Sequence, residues 1–230
     1  MNLAPYTYLA LMLFTLAGPL SRSFEPRIQY YKKWYALFPA LIITNLYFIP
    51  WDVWFEVKGI WWFSNDYTIG FRIFDLPIEE WMFFFLVPFA CVFIYECTNL
   101  FIRKDYLGPH AKKITAVLMV AALILSAFYN DRMYTLVNGL SAAAILGLHL
   151  FVFKAAWLGR FYIGFAVSLI PFFLVNGVLT AIPIVFYNND QNMAIRMGTI
   201  PVEDLFYCLT LLLMTTTIYE AILNRNWASR

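Results

Sequence analysis

Seven long apolar stretches run through this 230-residue chain and restrict what it can fold into. Most reach the roughly 17–25 residues that a helix needs to cross a bilayer, although the fourth is short. Because backbone groups in hydrocarbon must pair within their own segment, such stretches predict helices. We therefore predict an all-α, polytopic membrane protein of about seven transmembrane helices. The stretches lie near residues 3–20, 34–50, 79–101, 114–128, 133–153, 161–187 and 202–223.

Composition agrees with a membrane protein. Charged residues make up 13% of the chain, whereas soluble domains carry roughly 25%. Aromatic residues make up 20%, and some are expected in the belts at the two membrane interfaces. The first apolar run has no Lys or Arg before it and no clear cleavage site, so we expect a first helix and no signal peptide.

The distribution of positive charge predicts the topology. With seven helices, twelve of the 16 Lys and Arg residues fall on one side of the membrane. The positive-inside rule then predicts an integral protein of the inner cell membrane with its N-terminus outside and its C-terminus in the cytoplasm. The twelve are Arg22, Arg27, Lys32, Lys33, Arg103, Lys104, Lys112, Lys113, Lys154, Arg160, Arg225 and Arg230.

An internal repeat divides the chain into two halves. Residues 77–96 and 201–220 align without a gap, and each begins with proline, an aliphatic residue and two acids. Each also carries Ile-Tyr-Glu at the same distance downstream. The matched pairs are Pro77 and Pro201, Glu79 and Glu203, Glu80 and Asp204, Ile94 and Ile218, Tyr95 and Tyr219, and Glu96 and Glu220.

Counting helices makes the repeat parallel. Helices 1–3 match helices 5–7, and helix 4 restores the orientation. We predict a first repeat at 1–101, a loop and linker helix at 102–130, and a second repeat at 131–230. Parallel repeats commonly meet at an interface that holds the functional site. The helices that precede the two acidic motifs are also similar, but less closely. Pro39, Asn45 and Pro50 correspond to Pro171, Asn176 and Pro183 at unequal spacing.

The paired acids are the main candidates for chemistry. Proline in a first helical turn followed by acids also describes an ordinary helix start with favourable charges. Two copies that both keep two acids favour function, because carboxylates at membrane depth are costly. Adjacent helical residues point about 100° apart, so one acid of each pair faces the bundle and the other its rim. Which acid does so stays open.

The remaining polar groups indicate structural roles. Glu96 and Glu220 lie 17 residues beyond the first acids, so we expect ion pairs at the inner interface. No Cys, His or acid set has metal-ligand spacing, and no dinucleotide fingerprint or phosphate loop occurs. We therefore expect no metal, no evident cofactor and no nucleic-acid partner.

Several motifs together resemble the membrane-integral lycopene β-cyclases. That family includes the heterodimeric cyclases of actinobacteria, the fused cyclases of haloarchaea and Bacteroidetes, and the cyclase domain of fungal bifunctional cyclase/phytoene synthases. The resemblance covers nearly the whole chain as a fused form. In the first half it rests on Pro50-Trp51-Asp52, Gly59, Trp62, Pro77-Ile78-Glu79-Glu80 and Phe83-Phe84. In the second half it rests on Asn176-Gly177, Thr180, Tyr187, Arg196 and Pro201-Val202-Glu203-Asp204.

The resemblance implies acid/base cyclisation of the ψ-end groups of lycopene to β-rings, without net redox change. Its partners would be this lipophilic polyene and membrane lipid, with homo-oligomers or contacts with other carotenoid enzymes left open. It implies a catalytic set of Glu79, Glu80, Glu203 and Asp204. It implies a substrate-binding set of Asn45, Trp51, Asp52, Trp62, Phe84, Asn176 and Thr180.

Three alternatives stay open from sequence. A related enzyme would form ε- or γ-rings or act on a longer carotenoid. A non-enzymatic carotenoid- or retinal-binding protein also fits seven helices, but a retinal Schiff base needs a lysine that 202–223 lacks. A transporter would need a polar path through the bilayer, whereas the paired acids cluster near one surface.

Overall fold

Seven α-helices form the described part of the chain, together with six short strands. The computed structural model describes residues 3–225. The helices are α1 Thr7–Arg22, α2 Trp34–Val57, α3 Ile78–Phe101, α4 Ala111–Phe128, α5 Met133–Leu148, α6 Leu158–Ala181 and α7 Glu203–Leu223. The strands are β1 Trp61–Phe63, β2 Arg72–Ile73, β3 Leu76–Pro77, β4 Val185–Tyr187, β5 Arg196–Met197 and β6 Ile200–Pro201.

The helices confirm an all-α polytopic membrane protein. Among residues 3–225, six helices are long and apolar enough to cross a membrane, namely those built on α2 to α7. The short 114–128 stretch belongs to the longer α4. Helix α1 has 16 residues, or about 24 Å at 1.5 Å per residue, so its role as a seventh span stays a prediction.

Two boundaries differ from the sequence predictions. The apolar stretch 161–187 is not one helix, because α6 ends at Ala181 and residues 185–187 form strand β4. The apolar stretch 34–50 is shorter than its helix, because α2 continues to Val57. In both places the apolar run and the helix end at different residues. Hydropathy measures how apolar the side chains are and does not report where helical hydrogen bonding stops.

The repeat extends well beyond the two acidic motifs. Helices α2 and α6 have bounds that differ by the same 124 residues at both ends, and so have β1 and β4. The sequence comparison had matched Asn176 with Asn45. The offset of 124 corrects that match, because it places Asn176 opposite Asp52. The proposed domain limits at 101 and 130 stay a prediction.

The two halves meet through reciprocal contacts. Strands β1 and β4 pair antiparallel, with Trp62 opposite Phe186 and their rings stacked at 5.6 Å. Beside them, the Ser64 amide donates to the Ile184 carbonyl and the Asn188 amide donates to the Ile60 carbonyl, each at 2.9 Å. Such paired contacts are those of two related units packed around an approximate two-fold axis.

A second reciprocal contact lies at the opposite end of α3 and α7. The Tyr95 hydroxyl donates to Glu220 Oε1 at 2.9 Å, and the Tyr219 hydroxyl donates to Glu96 Oε1 at 2.7 Å. Lys33 and Arg225 also pair with Glu96, and Arg225 pairs with Glu220. These contacts confirm the predicted ion pairs of both glutamates, and they join the two halves at this end.

Loss of the Glu96 carboxylate should destabilise the fold. Glu96 is 4% exposed and accepts from two cations and a phenol, so Glu96→Gln should lower the free energy of unfolding by about 3 kcal/mol. The matched Glu25→Gln change removes an exposed pair with Arg22, which should cost at most about 1 kcal/mol. Thermal unfolding of the detergent-solubilised variants measures both. Equal melting temperatures would contradict a joining role for Glu96.

Candidate functional site

The first acid of each motif holds the loop that precedes it. Glu79 Oε1 accepts a hydrogen bond from the Ile69 amide at 2.8 Å, and Glu203 Oε1 accepts one from the Met193 amide at 2.6 Å. The Thr135 hydroxyl also donates to Glu203 Oε1, at 2.7 Å. Both carboxyl groups are buried. Each therefore fixes a loop against the start of α3 or α7.

The second acid of each motif lines a cavity between the halves. The Tyr8 hydroxyl donates to Glu80 Oε2, and the Tyr134 hydroxyl donates to Asp204 Oδ1 at 2.5 Å. The Tyr187 hydroxyl donates to Asp204 Oδ2 at 2.9 Å. The two acids thus have equivalent tyrosine partners at the starts of α1 and α5, and Asp204 has one donor more.

The loops that carry the first acids also place these tyrosines. The Tyr8 amide donates to the Tyr67 carbonyl at 3.1 Å, and the Tyr134 amide donates to the Gln191 carbonyl at 2.8 Å. Residues 67 and 191 are two positions before the amides that bind Glu79 and Glu203. One short loop in each half therefore joins the anchoring acid to the tyrosine that contacts the cavity acid.

A third carboxyl group lines the same cavity. Asp52 is 2% exposed, and its Oδ2 has no hydrogen-bond partner among residues 3–225. The buried Tyr207 hydroxyl also lacks one in this part of the chain. A buried polar atom without a partner is costly, which is typical of a site that binds or reacts. Asp52 corresponds to Asn176, so this acid occurs in one half only.

The rest of the cavity is apolar and aromatic. It encloses about 670 Å³, including its open mouth. Trp61 lies in the aromatic wall, with its ring 5.2 Å from that of Tyr134, 6.0 Å from Tyr207 and 6.2 Å from Tyr187. The lining comprises Tyr8, Asp52, Trp61, Phe63, Glu80, Phe83, Val87, Tyr134, Phe172, Asn176, Leu179, Thr180, Val185, Tyr187, Asp204, Tyr207, Cys208 and Leu211.

The phenol of Tyr187 is held as a neutral donor. Desolvation by the surrounding side chains, and then the charge of Asp204, raise the pKa of Tyr187 well above its usual range. The same ring faces the Arg196 guanidinium at 5.7 Å. Tyr187 therefore donates its proton in a hydrogen bond and does not titrate near neutral pH.

The cavity lies off the axis because the halves differ in side-chain size. Two bulky residues of the first half, Phe55 and Phe84, correspond to the smaller Leu179 and Cys208 of the second half. Leu179 and Cys208 line the cavity, whereas Phe55 and Phe84 do not line it and are fully buried in the aromatic core.

The structure brings together five of the eleven predicted site residues. These are Asp52, Glu80, Asn176, Thr180 and Asp204. The anchoring acids Glu79 and Glu203, which were predicted to be catalytic, do not line the cavity, because adjacent helical positions point apart.

Four predicted substrate-binding residues also lie outside the lining. Asn45 is deeper in α2, where its amide donates to the Phe84 carbonyl at 3.2 Å. Trp51 and Phe84 pack against Phe48 behind the cavity wall. Trp62 is 43% exposed and stacks on Phe186. The resemblance implied these residues without giving the direction in which their side chains point.

Tyr8 and Tyr134, the tyrosine partners of the cavity acids, were not predicted from the sequence. Tyr8 and Tyr134 begin the first helix of each half, 72 and 70 residues from Glu80 and Asp204. Tyr207 was missed as well. Their only sequence signal is that Tyr8 and Tyr134 occupy equivalent places in the repeat, and 15 tyrosines in the chain make that signal weak.

Fold and site together define a polytopic membrane protein whose two related halves enclose a carboxyl-rich, aromatic cavity. Residues 5–98 and 131–222 match the family described as Lycopene cyclase. The chain therefore belongs to the lycopene cyclase family. The two matched segments leave out α4 and the loops beside it.

Two curated fungal proteins are similar to part of the chain. A bifunctional lycopene cyclase/phytoene synthase of Aspergillus niger (strain ATCC MYA-4892 / CBS 513.88 / FGSC A1513) is 30% identical over 109 residues. One of Aspergillus oryzae (strain ATCC 42149 / RIB 40) is 29% identical over 103 residues. The matches cover 46% and 44% of this chain but only 17% of each relative. No solved structure matches the chain.

Removal of an anchoring acid should loosen its loop. Glu203→Ala leaves the Met193 amide and the Thr135 hydroxyl without their acceptor, so the free energy of unfolding should fall by about 1–3 kcal/mol. The exposed loop acid offers a control, since Asp190→Ala should change it by at most about 0.5 kcal/mol. Thermal unfolding and hydrogen exchange at Met193 provide the measurements. Unchanged exchange at Met193 would contradict the anchoring role.

Proposed function

We propose that the chain cyclises the ψ-end groups of lycopene to β-rings by acid/base chemistry without net redox change. The observation that carries this proposal is the placement of three carboxyl groups, Asp52, Glu80 and Asp204, around one apolar aromatic cavity. Cyclisation of a ψ-end adds one proton and removes another, so the product is an isomer of the substrate. A donor, an acceptor and a dry apolar site meet the needs of that reaction.

The first step requires a protonated carboxyl group. Three carboxyl groups around a poorly hydrated cavity cannot all ionise, because each charge disfavours the others and burial disfavours them all. Glu80 and Asp52 fit the role of proton donor, since Glu80 has one hydroxyl partner and Asp52 Oδ2 has none among the described residues. Proton transfer to the terminal double bond would leave a tertiary carbocation.

The last step requires a carboxylate. Asp204 accepts hydrogen bonds from two phenols, Tyr134 and Tyr187, and such bonds stabilise the ionised form. After the neighbouring double bond attacks the carbocation and closes the ring, Asp204 would take the proton whose loss forms the ring double bond. Proton relay back to the donor then restores the starting state.

The aromatic wall supports the cationic intermediate. Ring faces attract cations by about 0.5–2 kcal/mol each, and more strongly where water is excluded. Trp61, Tyr187 and Tyr207 supply ring faces beside the carboxyl groups. The same rings also exclude water from the cavity. Water would otherwise add to the carbocation and give an alcohol.

The anchoring acids take a positioning role in this mechanism. Glu79 and Glu203 hold the loops that place Tyr8 and Tyr134 against the cavity acids.

Removal of a different proton by the same base would give an ε- or γ-ring, so the ring product depends on where the base meets the bound end group.

Loss of either cavity acid should abolish ring formation. Glu80→Gln and Asp204→Asn keep the shape but remove proton transfer, which contributes on the order of 10²–10⁴ in rate. The matched change Asp66→Asn alters an exposed acid of the outer loop and should leave activity unchanged. Expression in lycopene-accumulating bacteria followed by pigment chromatography measures all four proteins.

Two results of this experiment test different claims, one the cyclase function and the other the roles of Glu80 and Asp204. Unchanged lycopene from well-expressed wild type would overturn cyclisation itself. Active wild type together with fully active Glu80→Gln and Asp204→Asn would show that the protons move through other groups.

We also propose that the motif ends of α3 and α7 face outward and that the C-terminus is cytoplasmic. Support comes from the charge bias of the loops, with Lys58, Arg72, Arg132 and Arg196 the four basic residues on the cavity side. A green fluorescent protein fused after Arg230 should fluoresce in bacteria, whereas alkaline phosphatase at the same point should be inactive. The reverse pattern would contradict this orientation.

A further inference from the structure

A second cavity lies between α1, α3 and α6. It encloses about 1050 Å³, including the space at its open side, and its walls are almost wholly apolar. Because it is cut into the side of the helix bundle, we call it the lateral groove. Its lining comprises Phe14, Thr15, Ala17, Gly18, Pro19, Val87, Ala90, Cys91, Ile94, Pro171, Phe172, Leu174, Val175, Asn176 and Cys208.

The lateral groove opens where lipid would surround the protein. Phe14 of α1 and Leu174 of α6 stand at its two sides and are 77% and 67% exposed. Gly18 of α1 also lines the groove, and a Cβ added there would meet no atom within 4 Å outside its chain neighbours and its own helix backbone. At Gly18 the groove is therefore open and not filled by a side chain.

The lateral groove continues into the catalytic cavity. Val87, Phe172, Asn176 and Cys208 line both spaces. Along α3 the groove extends from Val87 to Ile94, which is about 10 Å at 1.5 Å per residue. An apolar chain lying in the groove would thus reach the carboxyl-lined cavity without passing through water.

The equivalent gap in the other half is closed. There the Tyr47 hydroxyl of α2 and the Ser141 hydroxyl of α5 form a hydrogen bond at 2.8 Å. Helices α1 and α5 align at their first residues, Thr7 and Met133, so the residues equivalent to this pair are Pro171 and Thr15. These two form no such bridge, because proline carries no polar side chain. The buried Trp51 ring also occupies the place of the small Val175. The duplicated fold has therefore kept one gap and sealed the other.

We propose that the lateral groove is the portal and channel through which a polyene reaches the acids directly from the membrane. The end group enters the catalytic cavity while the conjugated chain lies between α1 and α6. This inference rests on the proposed cyclase function and adds the route and the position of the substrate. With this groove as the portal among residues 3–225, one end of the polyene reacts per binding event, so a product with two rings needs release and rebinding.

The test fills the groove without disturbing the acids. Gly18→Trp places a large ring where a Cβ meets nothing, and it removes a helix-weakening glycine, so the fold should tolerate it. Ala10→Trp adds the same ring to the same helix at an exposed position that lines neither cavity. Pro171→Tyr is the second blocking variant, since it installs the ring with which Tyr47 closes the opposite gap.

Initial rates in liposomes of increasing lycopene content give kcat/KM for each variant. We expect at least a tenfold fall for Gly18→Trp and Pro171→Tyr and less than a twofold change for Ala10→Trp. Active wild type with blocking variants as fast as Ala10→Trp would overturn the portal and leave cyclisation intact, with the groove then a lipid-binding crevice. Inactive wild type would instead overturn the proposed function on which the portal rests.

Discussion

Reciprocal packing of the two halves is the interaction on which the site depends. At one end, β1 and β4 pair across the axis, and at the other end Tyr95 and Tyr219 each donate to a glutamate of the opposite half. The cavity between the halves is lined by side chains of both. Because Asp52 and Glu80 come from the first half and Asp204 from the second, the complete carboxyl cluster exists only when the two halves are joined.

Duplication explains which features are shared, and later divergence explains which are not. Both halves use the first acid to hold a loop and the second to meet a tyrosine, so these roles precede the differences. Asp52 and Asn176 then differ in charge, and Trp51 and Val175 differ in volume. A symmetric pair would offer two equal half-sites, whereas these differences concentrate space and acidity on one side of the axis.

Sequence reasoning located the helices and the acidic motifs but could not orient the acids. Hydropathy predicted seven apolar helices, of which six are long and apolar enough to span a membrane among the described residues, but it ran α6 into strand β4. The gapless repeat pointed to the right pair of helix starts. Choosing Glu80 over Glu79 requires the rotation of α3 about its axis, which packing with α1 decides. Tyr8 and Tyr134 lie 72 and 70 residues from the acids that they contact, and no local pattern contains such pairs.

The membrane gives these features a common physical reason. A carboxylate in an apolar site is costly, so each cavity acid of the paired motifs has a phenol donor in place of water. Phenols suit that role, because they satisfy the carboxylate without bringing in a second charge or a water molecule. The same dryness would protect the carbocation of the proposed reaction and accommodate an apolar chain. The proposed polyene substrate would then have to enter from the lipid side, and the gap between α1 and α6 lies on that side.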